Sequence, residues 1–171
     1  GLEPKREVIC PRLFRDAGYD GTTMRAIAAE AGVSLGNAYY YFSSKEHLIQ
    51  GFYDRIQVDH ASAAAAALDR ETAFPSRLLA VLDAWIDVAE PYHEFAGSFF
   101  KNAAEPTSPL SPFSADSTAA REAAIDLHRR VVEGSDLKVA PTLRTELPGL
   151  LWLLQMGVVL FWVYDASPGQ R

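Results

Sequence analysis

Apolar residues recur along most of the chain at spacings of three and four, which is the period of an amphipathic α-helix. No stretch alternates between apolar and polar residues as a half-buried β-strand does. The pattern therefore predicts an all-α fold. Its helical stripes cover residues 9–17, 24–31, 35–41, 43–67, 78–89, 95–103, 120–131 and 147–164.

Local signals mark where several of these helices begin and end. Gly18 is expected to close the first helix, and Pro11 within it indicates either a kink or a later start. Thr22 and Thr23 are suited to cap the second helix. Ser43 and Glu46 have the spacing of a capping box, which predicts the start of a long fourth helix.

Two short helices separated by a tight turn predict a helix-turn-helix within residues 18–48. Gly32 allows the backbone to turn, and Val33 is expected to fill the space between the helices. Ser34 is expected to cap the third helix, whose N-terminal end would then face a DNA major groove.

The predicted third helix carries side chains suited to DNA. Asn37 can form a paired hydrogen bond with an adenine edge, and Leu35 can touch a thymine methyl group. Gly36 has no side chain, so the backbone can approach the bases closely. The hydroxyls of Tyr39 and Tyr40 can bind phosphate oxygens, contacts that position a protein without reading sequence.

Further phosphate contacts are expected around this helix. Lys45 lies in the first turn of the fourth helix, where its ammonium and exposed backbone amides favour an anion. Thr23 can bind a phosphate in the same way, and Arg25 can reach the backbone or a groove edge. Tyr41 is expected to pack inward beside Phe42, because successive residues of a helix point about 100° apart.

The segment GYDGTTMRAIAAEAGVSLGNAYYYFSSKEHL resembles the signature of the tetracycline-repressor (TetR) family. The resemblance implies a homodimer that docks two reading heads on a palindromic operator in double-stranded DNA. It also implies an all-helical second part that binds a small effector and then releases the DNA. The positions it assigns to DNA contact are filled here by Thr23, Ser34, Leu35, Gly36, Asn37, Tyr39, Tyr40 and Lys45.

We accordingly predict a helix-turn-helix DNA-binding domain over residues 1–46 and a helical ligand-binding and dimerisation domain over residues 47–171. Members of the family usually carry one more helix after the position of Tyr164. We therefore expect this chain to lack the final helix of the second domain.

Charge and composition limit the alternatives. The net charge is −6, but residues 1–51 carry as many basic as acidic side chains, so the surplus lies after Gly51. The single cysteine, Cys10, rules out an intramolecular disulfide and fits a cytoplasmic location. Residues 147–164 contain no charge, yet they hold Pro148 and Gln155. We expect this run to be a buried core helix rather than a membrane span.

Aromatic residues are frequent in the second part, which suits a pocket for an apolar or aromatic effector. For each of them, ordinary core packing is the alternative. Gln155 stands alone in an apolar run and is equally suited to a ligand contact or to an interhelical hydrogen bond. The candidate ligand-binding residues are Trp85, Phe99, Trp152, Gln155 and Met156.

No catalytic motif, phosphate-binding glycine loop or metal-ligand spacing occurs, so we expect no enzyme, cofactor or metal site. The sequence predicts a DNA-binding transcriptional regulator, by default a repressor. Two other hypotheses remain. One is a helical ligand-binding bundle with a vestigial DNA-binding head, and the other is a membrane-associated protein anchored by residues 147–164.

Overall fold

The computed structural model describes residues 11–93, 96–97, 100, 103–105, 107–165 and 167. These residues are mostly helical and include no β-strand, so the predicted all-α fold is confirmed. The helices are α1 (Pro11–Gly21), α2 (Met24–Glu30), α3 (Leu35–Tyr41), α4 (Lys45–Arg70), α5 (Phe74–Ala89), α6 (Thr118–Glu133) and α7 (Pro141–Tyr164), and a 3₁₀ turn spans Glu90–Tyr92.

The described residues divide into two compact units. The first, called the head below, takes those up to Tyr53 and those from Tyr92 to Thr118. The second, called the bundle, takes those from Asp54 to Pro91 and those from Ala119 onward. Helix α4 contributes residues to both units, and its length agrees with the long fourth helix that the sequence predicted.

The head is built on a small apolar core from α1 to α4. Phe14 and Ile49 are completely buried there, and Ile27 and Leu48 are nearly so. Gly18 has a φ of 71°, which ends the regular part of α1 as predicted. Pro11 is the first described residue, so the choice between a kinked and a late-starting first helix lies outside the described residues.

The turn between α2 and α3 has the predicted chemistry. Gly32 adopts a φ of 68°, which glycine accepts without the steric cost of a Cβ. The Oγ1 of Thr23 accepts a hydrogen bond from the amide of Ala26 at 3.2 Å. The Oγ of Ser34 accepts one from the amide of Asn37 at 3.1 Å. Both predicted N-caps are confirmed.

The predicted capping box at the start of α4 is wrong. Ser44, not Ser43, caps the helix, because its Oγ accepts the amide of His47 at 3.3 Å. The Ser43 hydroxyl instead contacts His47 Nδ1 at 2.5 Å. The carboxylate of Glu46 is occupied by the hydroxyl of Tyr19, at 2.5 Å. A tertiary contact has therefore replaced the local bond that the sequence pattern indicated.

The described part of the proline-rich segment after residue 103 is a loop that packs onto the head. Leu110 is buried in the head core. Its carbonyl accepts a hydrogen bond from the Tyr53 hydroxyl at 2.9 Å. Gln50 Nε2 donates to the carbonyl of Pro109 at 2.8 Å. The loop therefore belongs structurally to the head, although 60 residues of chain separate Gln50 from Leu110.

In the bundle, a buried arginine joins the ends of several helices. Arg77 is only 4% exposed. Its guanidinium donates to the carbonyls of Val131 at 3.0 Å, Leu68 at 2.5 Å, Glu71 at 2.6 Å and Arg130 at 2.5 Å. A side chain at Gly134 would collide with this guanidinium, so glycine leaves the room it needs.

Helix α7 departs from the expectation of a buried core helix. By length and composition it is the one described helix that could cross a membrane, with a mean hydropathy of 1.7 over a window that is 33% buried. One side is buried and includes Leu151, Trp152 and Gln155. The other side is an exposed apolar stripe, called the α7 stripe below, of Leu150, Leu153, Leu154, Leu160, Phe161 and Tyr164. The expectation of a core helix therefore holds for one side of α7 only, because lack of charge does not distinguish a helix buried all round from one with an uncovered apolar face.

Candidate nucleic-acid interface and ligand site

Helix α3 presents one face to solvent at the head surface. Ala38 is buried against the head core, and Leu35 and Phe42 pack beside it. Gly36 and Asn37 point away from this core and are exposed. Tyr40, one turn further on, is 80% exposed. These last three residues, called the reading face below, form an exposed patch in which the Asn37 amide can both donate and accept hydrogen bonds.

Gly36 has no structural need to be glycine. A Cβ built there meets no atom within 4 Å. Its backbone φ is also not in the left-handed region. A glycine inside a helix costs about 1 kcal/mol relative to alanine. The fold bears this cost at an exposed position where the missing side chain leaves the helix backbone open to close approach by a partner.

The three tyrosines at the end of α3 are all exposed, and the predicted inward packing of Tyr41 is wrong. Tyr41 is 45% exposed, and its ring contacts Tyr40 edge-on at a centroid distance of 5.0 Å. Phe42, the C-cap residue, fills the core position instead. Tyr39 is 50% exposed, so all three hydroxyls are available for phosphate contacts.

Thr23, Arg25 and Ser34 surround the reading face at the helix starts. All three are exposed. The oxygens of Thr23 and Ser34 accept backbone hydrogen bonds, which leaves their O–H groups as donors to an anion. Leu35 is half-buried against the head core, so packing takes up part of its side chain. Contacts of these four residues with DNA stay a prediction.

The Lys45 ammonium is held by backbone carbonyls of the head, whereas a simple phosphate contact requires it to point into solvent. Its ammonium donates to the carbonyl of Tyr19 at 2.5 Å and to that of Thr22 at 3.0 Å. It also stands 3.9 Å from the centroid of the Tyr19 ring. Lys45 thus satisfies carbonyls at the end of α1 and fixes the start of α4 against it. Its contact with phosphate remains a prediction.

Tyr19 and Glu46 complete this partly buried corner of the head. Burial, and then the hydrogen bond to Glu46, raise the pKa of Tyr19. The same hydrogen bond lowers the pKa of Glu46. The pair therefore stays as neutral phenol and charged carboxylate at neutral pH. The sequence missed this contact, because 27 residues separate the partners.

The candidate ligand residues that the structure describes all lie in the bundle interior. Trp85 and Trp152 are 8% and 6% exposed, and Met156 is half-buried. Gln155 is completely buried, and neither its Nε2 nor its Oε1 has a hydrogen-bond partner. The predicted interhelical bond of Gln155 is therefore absent. Phe99 lies outside the described residues.

Two bundle histidines also have a buried polar atom without a hydrogen-bond partner. The sequence analysis did not single them out as site residues. His60 and His128 are completely buried. His60 Nε2 lies 2.8 Å from the carbonyl of Val81, and His128 Nδ1 lies 2.9 Å from that of Ala124. The opposite ring nitrogens, His60 Nδ1 and His128 Nε2, have no partner. A histidine within an apolar helical stripe was the signal that could have found them.

An open groove of about 510 Å³ lies on the surface of α7. Its lining consists of Gly157, Leu160, Phe161, Tyr164 and Asp165. None of the predicted ligand residues contributes to it. The groove continues the α7 stripe and is a surface feature distinct from the buried polar atoms.

The capped two-helix turn and the exposed reading face define a helix-turn-helix protein of the DNA-binding class. Residues 12–51 match the bacterial regulatory proteins of the tetR family. Residues 77–171 match the tetracyclin repressor-like C-terminal domain. The chain belongs to the TetR family of transcriptional regulators.

Individual relatives agree with this assignment. The chain is 35% identical over 86 residues to the HTH-type transcriptional regulator BetI of Agrobacterium fabrum. That match covers 48% of this chain and 42% of BetI, so it spans less than half of the relative.

Solved structures show the same fold at low sequence identity. The ketosteroid transcriptional regulator KstR2 of Mycobacterium tuberculosis matches 98% of this chain and 87% of its own, with a TM-score of 0.54 and 18% identity. The TetR family regulator PfmR of Thermus thermophilus matches 96% and 95%, with a TM-score of 0.54 and 18% identity. A Rhodococcus sp. RHA1 protein of unknown function matches 94% and 83%, with a TM-score of 0.60 and 19% identity.

Proposed function

We propose that this chain is a repressor that binds a specific double-stranded DNA operator and leaves it when a small effector binds. The observation that carries the proposal is the reading face, where Gly36, Asn37 and Tyr40 are exposed around a buried Ala38. Family membership supports the class of function. The alternative of a vestigial head is disfavoured because Gly36 lowers helix stability at a position where the fold itself does not require glycine.

Recognition divides into reading and positioning contacts. Asn37 reads adenine through its amide, which can both donate and accept. The hydroxyls of Tyr39 and Tyr40 donate hydrogen bonds to phosphates, and the guanidinium of Arg25 adds a positive charge nearby. The acidic surplus of the residues after Gly51 discourages DNA from binding elsewhere on the chain.

The protein acts as a homodimer on a palindromic operator. The α7 stripe supports this, because it is an uncharged apolar face exposed along one side of the helix, and contiguous exposed apolar patches mark interaction surfaces. A second copy of the same stripe is its occupant. The two reading faces then occupy successive major grooves, about 34–36 Å apart.

The effector acts through the bundle. A ligand that binds one dimer conformation better than another lowers DNA affinity by the coupling free energy between the two sites. Helix α4 contributes residues to both units, so it can transmit a conformational change of the bundle to the head. We place the protein in the cytoplasm, where it meets both DNA and effector.

The test begins with selection from a random double-stranded DNA pool, followed by a salt titration of the best sequence. We expect an enriched palindrome and an affinity that falls steeply with salt, because phosphate contacts release counterions. Asn37→Ala should weaken binding, whereas the exposed α4 variant Ser62→Ala, outside the head, should not.

Other outcomes separate the alternatives. DNA affinity unchanged in Asn37→Ala and Tyr40→Phe would support a vestigial head. Recovery only in the detergent-solubilised membrane fraction would support a membrane anchor in α7. Either result contradicts the proposed function.

A further inference from the structure

Two neighbouring tyrosines of α3 point in different directions from the helix axis. A helix turns by about 100° per residue, so Tyr40, two residues after the buried Ala38, points almost directly away from the head core. Its 80% exposure agrees with that direction. Tyr41 comes three residues after Ala38 and is 45% exposed on the flank of the helix. Tyr40 therefore stands in the middle of the exposed side, and Tyr41 stands beside it.

The ring of Tyr41 contacts the ring of Tyr40. The two centroids are 5.0 Å apart and the ring planes meet at 87°, an edge-to-face arrangement that aromatic pairs prefer. Consecutive residues of a helix do not normally face each other, so this contact depends on the side-chain torsions of both tyrosines. Helix α3 ends at Tyr41, and Phe42 has extended backbone torsions, so no further turn of α3 covers the Tyr41 ring.

The fold itself does not use this contact in its core. The head core and the apolar side chains packed against it include Leu35, Ala38 and Phe42 of this stretch, but neither Tyr40 nor Tyr41. Loss of the Tyr41 ring should therefore leave the packing of the head in place. What the ring does contact is a tyrosine of the reading face.

This contact restricts the motion of Tyr40. Long and aromatic side chains on a helix populate two χ1 rotamers, near 180° and −60°. A ring held edge-on against Tyr41 favours one of them over the other. A side chain that is ordered before binding loses less conformational freedom in the complex, and this raises the affinity. An ordered Tyr40 should therefore bind a phosphate more tightly than a mobile one.

We propose that Tyr41 is a positioning residue for DNA recognition, whose ring holds Tyr40 in the rotamer that contacts the DNA backbone. The Tyr41 hydroxyl is not needed for this role, since the contact is made by the ring. The inference rests on the proposed DNA-binding function. Direct binding of a phosphate by the Tyr41 hydroxyl is the competing role, and it predicts a different response to substitution.

The test compares two substitutions of Tyr41 on the operator that the wild type selects. Tyr41→Phe keeps the ring and should bind the operator as tightly as the wild type. Tyr41→Leu keeps an apolar side chain of good helix propensity but removes the ring. It should bind roughly 2- to 10-fold more weakly, the range that corresponds to the strength of an aromatic pair. Tyr41→Ala is a second variant without the ring and should behave in the same way.

A double-mutant cycle shows whether Tyr41 acts through Tyr40. Tyr40→Ala removes the ring that is positioned, so Tyr41→Leu should cause no further loss of affinity in that background. If the two losses add, then Tyr41 acts independently of Tyr40 and the proposal is wrong.

A measurement without DNA reports on the contact directly. Side-chain coupling constants from NMR on the full chain give the χ1 populations of Tyr40. One rotamer should dominate in the wild type and in Tyr41→Phe, whereas Tyr41→Leu should show an average over two. The melting temperatures of these proteins should lie close together, because neither ring belongs to the head core.

Several results overturn the proposal. A Tyr41→Phe protein as weak as Tyr41→Leu would assign the role to the hydroxyl. Full operator affinity in Tyr41→Leu, or Tyr40 couplings that do not change in that variant, would show that the ring does not position Tyr40. Either result leaves the proposed function intact, whereas a wild type that enriches no DNA sequence overturns that function and this inference with it.

Discussion

The head and the bundle treat polar side chains in opposite ways. In the head, the polar residues of the reading face point outward, and the buried hydroxyl of Thr22 is satisfied by the carbonyl of Gly18 at 2.6 Å. In the bundle, the described unsatisfied atoms are all inside. The contrast agrees with the proposed function, in which the head meets DNA at its surface and the bundle encloses an effector.

The largest expected effect is at Arg77 in the bundle, whose buried guanidinium is hydrogen-bonded to backbone carbonyls. Arg77→Met should lower the free energy of unfolding by about 3–5 kcal/mol, because four backbone carbonyls, two of them in buried bonds, lose their donor. Urea denaturation measures the loss. Arg55→Met is the control: its exposed pair with Asp59 should be worth less than about 1 kcal/mol. Equal losses in the two variants would mean that burial of the guanidinium does not matter.

The buried histidines should make the bundle sensitive to acid. His60 has its pKa lowered by burial from an ordinary value of 6.5 to about 4, so the unfolded chain binds its proton first as pH falls. Stability is full above pH 6.5 and should drop by about 3 kcal/mol on going down to pH 4. Urea midpoints across this range measure the drop.

His60→Gln is the matched variant for this prediction. It keeps an amide that can donate to the Val81 carbonyl but does not titrate. The variant should lack the share of the acid sensitivity that His60 supplies. A wild type and variant with parallel pH profiles would show that His60 is not buried in its neutral form.

The helix caps of the head should matter less than these interior groups. Ser34→Ala removes the oxygen that accepts the Asn37 amide and should cost about 1 kcal/mol in the free energy of unfolding. Ser62→Ala, on the exposed side of α4, should change it by no more than about 0.5 kcal/mol. A cap variant as stable as the wild type would show that the start of α3 does not depend on this bond.

The smallest expected effect is a gain in the free energy of unfolding rather than a loss. Gly36→Ala should raise the free energy of unfolding by up to about 1 kcal/mol, since no atom crowds the new methyl group. The same variant should bind DNA more weakly. Gly32→Ala is the contrasting variant and should destabilise, because its φ of 68° is unfavourable for alanine. A Gly36→Ala protein with full DNA affinity would remove close approach as the reason for this glycine.

The two units also differ in what their sequences could predict. Thr23, Ser34 and Gly32 act through bonds and torsions within a few residues, so local patterns predicted them correctly. The capping-box prediction was wrong because Glu46 accepts a hydrogen bond from the hydroxyl of Tyr19, 27 residues away in the sequence.

In the bundle, the important partners are distant in the chain. Arg77 reaches the carbonyl of Val131 54 residues later, and His60 meets that of Val81 21 residues later. Gln155 stood out only because it was the one polar side chain in an apolar run. Helical periodicity predicts that a face is buried, but not which buried polar atoms stay without partners.

The most direct test of the central claim is a double-mutant cycle on the selected operator. Wild type and Asn37→Ala are each titrated against the operator and against operators in which single A·T pairs are replaced. At one position, the replacement should cost the wild type about 1–3 kcal/mol and cost Asn37→Ala almost nothing. If both proteins lose the same affinity at every position, Asn37 does not read the DNA and the assignment of the reading face is wrong.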